Sequence, residues 1–400
     1  MIDSKFHANN RQRIVDAIAG GLLVLSANGQ MQSSNDSVFR FKQEANFWWL
    51  TGIDQPDWLV IIDGLQNKSW LVSPQMSDVQ QIFNGSLQFD VARKISGIDK
   101  VVNYDEAFIM LRDLAKQHSL VYTAGDLFNS EYFNFTLNPA PHKLKLKLEQ
   151  IFNNVQDCNL ELAQLRAIKQ PDEIKAVKQA IKLTIEAFKN VKQKLPELKH
   201  EYQVEAEFSY YFRSNGADGH AFDPIVACGK NACVLHYHEN NASLKSNNLV
   251  VMDIGAQIGG YSADISRTYA VGKPNQRQIA VHQAVQSAHG QIIDLLHPGL
   301  KITDYEKQVD TIMQAALHQL NLLSSPDDYR RYFPHSVSHG LGVDTHDSLG
   351  RPNEFLPGMI ITVEPGIYIP KEGIGVRIED DILITNTGHQ NLSAALPTGL

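Results

Sequence analysis

Over the first 160 residues, short apolar runs alternate with stretches of helical periodicity. GLLVLSA, WLVIIDG, SWLVS and LVYTAG are too short for helices and rich in branched aliphatic residues, so they read as strands. Residues 105–118 space their apolar positions as a helix does. FWWLTG at 47–52 reads as aromatic core material at the start of a strand. Strands alternating with helices predict an α/β domain. The texture changes at residues 165–171, where a helix opens with Pro171 in its first turn and Asp172-Glu173 behind it. Ile174, Val177, Ile181, Ile185 and Phe188 line one face of that helix. The boundary is expected within 157–165, giving domains 1–160 and 165–400.

The second domain reads as helices plus hairpins. Residues 275–296 align Val281, Val285, Ala288, Ile292 and Leu295 on one face. Thr303 and Glu306 match a capping box, which starts another helix with Val309, Ile312, Met313, Ala316 and Leu320 inward. Residues 249–254 form a buried strand, Gly259-Gly260 a reversal, and 261–271 the returning strand. Residues 358–365 and 374–385 repeat this arrangement around a return at 371–373. Helices on one face of an antiparallel sheet make an α+β domain.

Both hairpins carry acids. Centring the first turn on Ile258 and Gly259 sets Asp253 opposite Asp264. Like charges directly opposed destabilise a sheet, and two buried carboxylates close together cannot both ionise cheaply. A cation between them resolves the conflict; an exposed hairpin with solvated carboxylates is the alternative. Centring the second turn on Lys371 and Glu372 sets Glu364 opposite Glu379. Glu364 follows five apolar or β-branched residues, whereas Glu379 precedes Asp380-Asp381 and keeps a surface alternative. FPHSVSHGLGVDTHD offers His335, His339 and His346, with Gly340 and Gly342 allowing close backbone approach. CVLHYHEN adds His236 and His238. Four carboxylates carry −4, which two divalent ions neutralise. Oxygen donors with one imidazole favour manganese, cobalt or zinc over a thiolate-loving metal.

Composition narrows the picture. Four hundred residues exceed one ordinary core and favour two domains. A net charge of −8 argues against nucleic acid or an anionic membrane as the main partner. The polar start MIDSKFHANNRQR shows no secretory signal, and AGGLLVLSA is too short to span a bilayer. Three cysteines without a Cys-x-x-Cys pair suit a reducing cytoplasm, with Cys228 and Cys233 as small buried residues.

CVLHY, the Asp253–Asp264 hairpin, HSVSHGLGVDTHD, LPGMIITVEPGIYI and GVRIEDDILIT occur together, in this order. Upstream stand FRFKQEANFWWLTGIDQP and LRAIKQPDEIKAVKQA. Jointly the chain resembles the proline-specific metallopeptidases of the pita-bread fold, the group containing aminopeptidase P and prolidase. The resemblance implies five metal ligands: Asp253, Asp264, His339, Glu364 and Glu379. Asp264 and Glu379 would bridge two ions, Asp253 would complete one shell, and His339 with Glu364 the other. His236, His335 and His346 would bind substrate and stabilise the developing oxyanion or leaving nitrogen. Arg377 would steady the ligand carboxylates, and Glu364 would shuttle a proton. The implied reaction releases an amino-terminal residue from a following proline. The implied assembly is a homodimer or homotetramer. His238 and Cys233 match no family role. Two features depart from some members: Gly340 stands where they carry a bulky aromatic, and the 364–379 connection is tight. A prolidase restricted to dipeptides, a metal-free peptide-binding relative and a creatinase-like enzyme are the competing readings; the intact acidic set disfavours the last two.

Overall fold

The computed structural model describes residues 2–125, 135–325 and 328–400. The chain divides into two compact units, Ile2–Leu165 and a second beginning at Arg166; the division falls inside helix Asn159–Ala167.

The amino-terminal unit is built on a six-stranded sheet. Its strands are β1 (Leu22–Ser26), β2 (Leu59–Asp63), β3 (Lys68–Val72), β4 (Lys100–Val102), β5 (Val121–Thr123) and β6 (Val155–Asp157), in the order β4-β3-β2-β1-β5-β6. All four apolar runs are strands. β1 lies antiparallel to β2 and parallel to β5, so the sheet is mixed. Leu22, Val24 and Ile61 pack against Leu111, Leu144 and Leu148 from helices Tyr104–Leu114 and Pro139–Glu149. Leu23 and Leu25 on the opposite face are equally buried, which explains why β1 reads as an unbroken apolar run. FWWLTG departs from expectation: Ala45–Thr51 is a helix. Glu44 caps it by accepting from Phe47 N, and Gly52 ends it at φ 67°. Phe47 and Trp49 are buried as core, but the caps rather than aromatic β-propensity decide the local structure.

The second unit opens with α1 (Pro171–Lys194), with Pro171 at its first turn, followed by α2 (Glu201–Ser214). Next come β7 (Gly219–His220), β8 (Ile225–Cys228), β9 (Asn248–Ile254), β10 (Ala256–Ile258), β11 (Tyr261–Ser262) and β12 (Ile265–Val271). Helices α3 (Gln276–Asp294) and α4 (Ile302–Gln319) precede β13 (Ile360–Val363), β14 (Gly366–Ile369), β15 (Ile374–Arg377), β16 (Asp380–Ile384) and β17 (His389–Asn391). The sheets run β8-β9-β12, β11-β10-β7, β13-β16-β17 and β14-β15. Val285 and Ile292 of α3, and Met313 and Leu317 of α4, share one core with Ile361, Val363, Val376 and Ile382. This is the α+β arrangement, with the acidic hairpins backed by helices.

Two local expectations fail here. Helix α4 starts at Ile302 with Lys301 as its cap residue, and no side chain caps it, so Thr303 and Glu306 both lie inside the helix. Because the helix starts before Thr303, Ile302 N is its first N–H without an intrahelical acceptor, and it donates to Asn353 O at 3.0 Å instead. The first acidic hairpin turns one residue later than expected. Ile258 pairs with Tyr261 around Gly259-Gly260, at φ 55° and 80°, and Asp253 pairs with Ser266. Moving the centre by one residue shifts the pairing by two, so the alternation of faces survives. Asp264 remains on the face of Asp253, diagonal to it rather than opposite.

Neither hairpin is continuous. The first breaks at Ala263–Asp264, where a Cβ on Gly255 would run into Ala263 O. The second keeps one register on both sides of its break, with Val363 opposite Asp380 and Gly366 opposite Arg377. That register sets Glu364 across from Glu379, as the turn at Lys371 and Glu372 predicts.

Candidate metal centre and active site

The breaks in the two hairpins gather the acids. Among the described residues three groups of potential ligands have donor atoms within 4.8 Å of one another: Asp253, Asp264 and Glu379; His339, Glu364 and Glu379; and Asp264, His339 and His346. Glu379 belongs to the first two groups, and Asp264 to the first and third. His339 Nε2 lies 3.5 Å from both Asp264 Oδ2 and Glu364 Oε1. That is long for a hydrogen bond, but close to the roughly 3–3.4 Å expected between two ligands on one small divalent ion. His339 Nδ1 lies 2.9 Å from Gly340 O. A carbonyl only accepts, so Nδ1 carries the proton and Nε2 turns its lone pair toward the acids. Asp253 Oδ1 is buried without a donor. Oxygen-rich donors, one imidazole and an orphaned carboxylate oxygen fit divalent metal ions.

Electrostatics agrees. Burial, then repulsion from Asp253, Asp381 and Glu364, pushes the Asp264 carboxyl well above its usual range. Burial, then Asp264, Glu364 and Asp253, does the same to Glu379. Burial lifts Glu364 to about 7, although His339 and Arg377 pull it down. A raised folded-state pKa favours the fold at low pH and loses that benefit as pH rises through the folded value. Metal-free protein is therefore expected to lose stability as pH rises from 4.5 through about 7, where Glu364 ionises. Thermal melts across this range after chelation test this, and saturating divalent metal should abolish the trend. A flat profile in the chelated protein would count against a metal-dependent cluster.

A chain of contacts supports the cluster. Arg377 Nη2 donates to Asp253 Oδ2 at 2.6 Å, its Nε to Ser266 Oγ at 2.9 Å and its Nη1 to Tyr368 OH at 3.2 Å. Ser266 Oγ donates in turn to Glu379 Oε2 at 2.9 Å. His335 Nδ1 faces Ser336 O at 2.8 Å, so Nε2 accepts from Tyr368 OH at 2.9 Å. Burial and Arg377 lower His335 to about 4, which keeps it neutral near pH 7. His346 is exposed, with its ring 4.2 Å from that of His339. His236 is exposed as well, yet senses the charges of Arg377 and Asp253; burial is the main cause of its lowered pKa. His238 is exposed beside His236, and Cys233 is half-buried, its thiol pushed up to about 11 by burial.

Several supporting residues escape the sequence reading. Tyr368 looks like core in GIYI, but it joins His335 to Arg377. Arg267 is fully buried and donates to Ser266 O at 2.9 Å and Glu379 O at 2.7 Å, with Asp380 Oδ1 at 2.6 Å as its counter-ion. Asp381 Oδ2 accepts Asp264 N at 3.2 Å. Asp347 is held by Arg166 at 2.7 Å and Lys169 at 3.2 Å. A side chain on Gly340 would collide with Asp347 O, and one on Gly342 with the Asp347 carboxylate. Both glycines therefore let the histidine-bearing loop fold over Asp347, and position 340 has no room for an aromatic here. An arginine in the middle of a buried strand (ISRTYA) was the one available signal.

A cavity of about 1420 Å³ lies elsewhere, lined only by amino-terminal residues such as Ser26, Trp58, Tyr104 and Lys147. It contains none of these acids or histidines. Convergent ligand atoms, rather than cavity size, mark the chemistry here.

Comparison with known proteins finds relatives along the whole chain. The family described as "Metallopeptidase family M24" matches residues 175–386, and "Aminopeptidase P, N-terminal domain" matches residues 7–122. The Xaa-Pro aminopeptidase of Escherichia coli (strain K12) is 31% identical, covering 96% of this chain and 93% of its own. Xaa-Pro aminopeptidase 3 of Homo sapiens is 30% identical, covering 94% and 78%. Among solved structures, the E. coli aminopeptidase P with the inhibitor Pro-Leu superposes at a TM-score of 0.86 with 30% identity, covering 100% of this chain and 96% of that one. Proline aminopeptidase P II from Yersinia pestis gives 0.85 and 30%, covering 100% and 98%. The chain belongs to metallopeptidase family M24, with the two-domain, pita-bread organisation of aminopeptidase P.

Proposed function

We propose that this chain is a dinuclear-metal Xaa-Pro aminopeptidase, hydrolysing the bond between an amino-terminal residue and a following proline. The observation that carries the reading is the sharing of Glu379 between the Asp253–Asp264 group and the His339–Glu364 group. Two overlapping ligand sets would hold two adjacent ions, with Glu379 and Asp264 as the residues that could serve both. Manganese leads, with cobalt and zinc as alternatives. When bound, the ions supply Lewis acidity and lower the pKa of the attacking water.

The residues do the rest. Glu364 takes a proton from the attacking water and passes it toward the leaving nitrogen. Asp253, fixed by Arg377, faces the free α-amine and confines cleavage to the chain end. His236, His335 and His346 orient the scissile carbonyl and the proline nitrogen. Proline's tertiary amide has no N–H, so a pocket shaped for its ring selects it.

His346→Ala is expected to retain bound metal and lose rate, because His346 is exposed at the edge of the cluster. Metal content beside kcat/KM decides this, and loss of metal would place His346 among the ligands. Rates on an Xaa-Pro dipeptide and an Xaa-Pro-Xaa tripeptide test the reading as a whole. Tripeptide cleavage is expected with added manganese; cleavage of the dipeptide alone would identify a prolidase.

Among the described residues, no helix is long and apolar enough to cross a membrane. The three free cysteines suit a reducing cytoplasm. Ile82 and Phe83, 82% and 81% exposed in the amino-terminal unit, support assembly into a dimer or tetramer.

A further inference from the structure

The segment carrying His236 has no regular structure of its own: residues 234–242 form neither helix nor strand. It is fastened by acids on α2 that lie outside the carboxylate cluster. Glu201 is fully buried. Its Oε1 accepts Cys228 N–H at 2.7 Å and Asn231 Nδ2 at 3.2 Å. Its Oε2 accepts Tyr237 O–H at 2.9 Å and Ala242 N–H at 2.8 Å. One helical turn on, Glu205 accepts from Asn240 Nδ2 at 2.9 Å, and Asn240 Oδ1 accepts Val226 N–H at 2.9 Å. The bonds from Glu201 therefore bracket His236 on both sides and seize the residue next to it.

We propose that Glu201 is a positioning residue for His236, fixing the loop so that the imidazole meets the peptide substrate. This rests on the reading of His236 as a substrate-binding group. The position needs a carboxylate rather than any polar side chain. Each oxygen of Glu201 faces one backbone N–H, which can only donate. A glutamine would turn its NH2 group toward Cys228 N–H in one orientation and toward Ala242 N–H in the other. Asn231 and Tyr237 can adapt to such a change, but the two backbone groups cannot. Glu201→Gln therefore opposes two donors in a dry site and releases one end of the loop.

A double-mutant cycle tests this on the metal-loaded, full-length protein with a proline-second tripeptide. Wild type, Glu201→Gln, His236→Ala and the double variant are compared by kcat/KM, metal content and thermal melting. Glu201→Gln is expected to lower kcat/KM roughly 10- to 100-fold with metal content unchanged. In the His236→Ala background the further loss is expected to shrink below about twofold, because the group being positioned is gone. An equal loss in both backgrounds, with a normal His236→Ala defect, overturns the inference and leaves Glu201 as a prop of the fold. An unaffected His236→Ala overturns the inference together with the role given to His236. Should Glu201→Gln fail to fold, Tyr237→Phe carries the same cycle, since it removes one donor from the same oxygen. Its expected loss is about threefold, confined to the background that keeps His236; no loss, or an equal loss in both, overturns the inference.

Discussion

Glu379→Gln is expected to lose bound divalent metal and activity together, with kcat/KM falling on the order of 10³-fold or more. The substitution preserves shape and removes one charge from the residue common to both ligand groups. The stability readouts should move in opposite directions. In metal-free protein, Asp264 and Glu364 lose a repelling neighbour, so the melting temperature should rise. With excess metal the variant should melt below wild type, because less binding energy is coupled to folding. Elemental analysis and paired melts check both arms. Full metal content with normal turnover would remove Glu379 from the centre and leave the dinuclear reading without its main support.

Arg267→Met is expected to cause the largest loss of stability, about 3–5 kcal/mol. Arg267 has no exposed surface and makes five hydrogen bonds, to Ser266 O, Glu379 O, Asp380, Leu396 O and Pro397 O. Burial alone would raise the Asp380 carboxyl, but Arg267 and His289 hold it below the usual range, so removing the guanidinium strands a buried charge. A melting temperature lower by about 10 °C is expected for a domain of this size. Adding Asp380→Leu should recover part of the loss, because a broken buried pair costs more than an apolar replacement of both partners. A melting temperature unchanged by Arg267→Met would mean that the two hairpins are joined by other contacts.

Much of this site was legible because acids in apolar strands are conspicuous. Asp253 and Glu364 each end a buried run, and the alternation of faces survived the misplaced turn at Gly259-Gly260. The amino-terminal sheet was legible for a related reason: β1 is covered on both faces, so its five residues stand out as a block. What escaped depends on partners distant in the chain. The sequence between Arg267 and Glu379 O spans 112 residues, and nothing local points one to the other. Glu201 resembles any acid at a helix start until Cys228, Tyr237 and Ala242 close around it. FWWLTG and Thr303 failed differently. At the first, Glu44 and Gly52 outweighed β-propensity; at the second, the helix begins at Ile302, ahead of Thr303, so the box has no cap position to fill.

The unbroken register of the second hairpin has a consequence for how such centres diversify. Glu364 and Glu379 are aligned by the β13–β16 ladder on the side away from the return, where Val363 meets Asp380. The return at Lys371–Gly373 lies at the far end, beyond β14 and β15, where Glu372 pairs with Arg277. Lengthening that return leaves the aligned pair anchored from behind, so loop length there can vary without moving the two glutamates. The count of residues between the two glutamates is then a weak signature of the chemistry. The pairing behind them is the strong one.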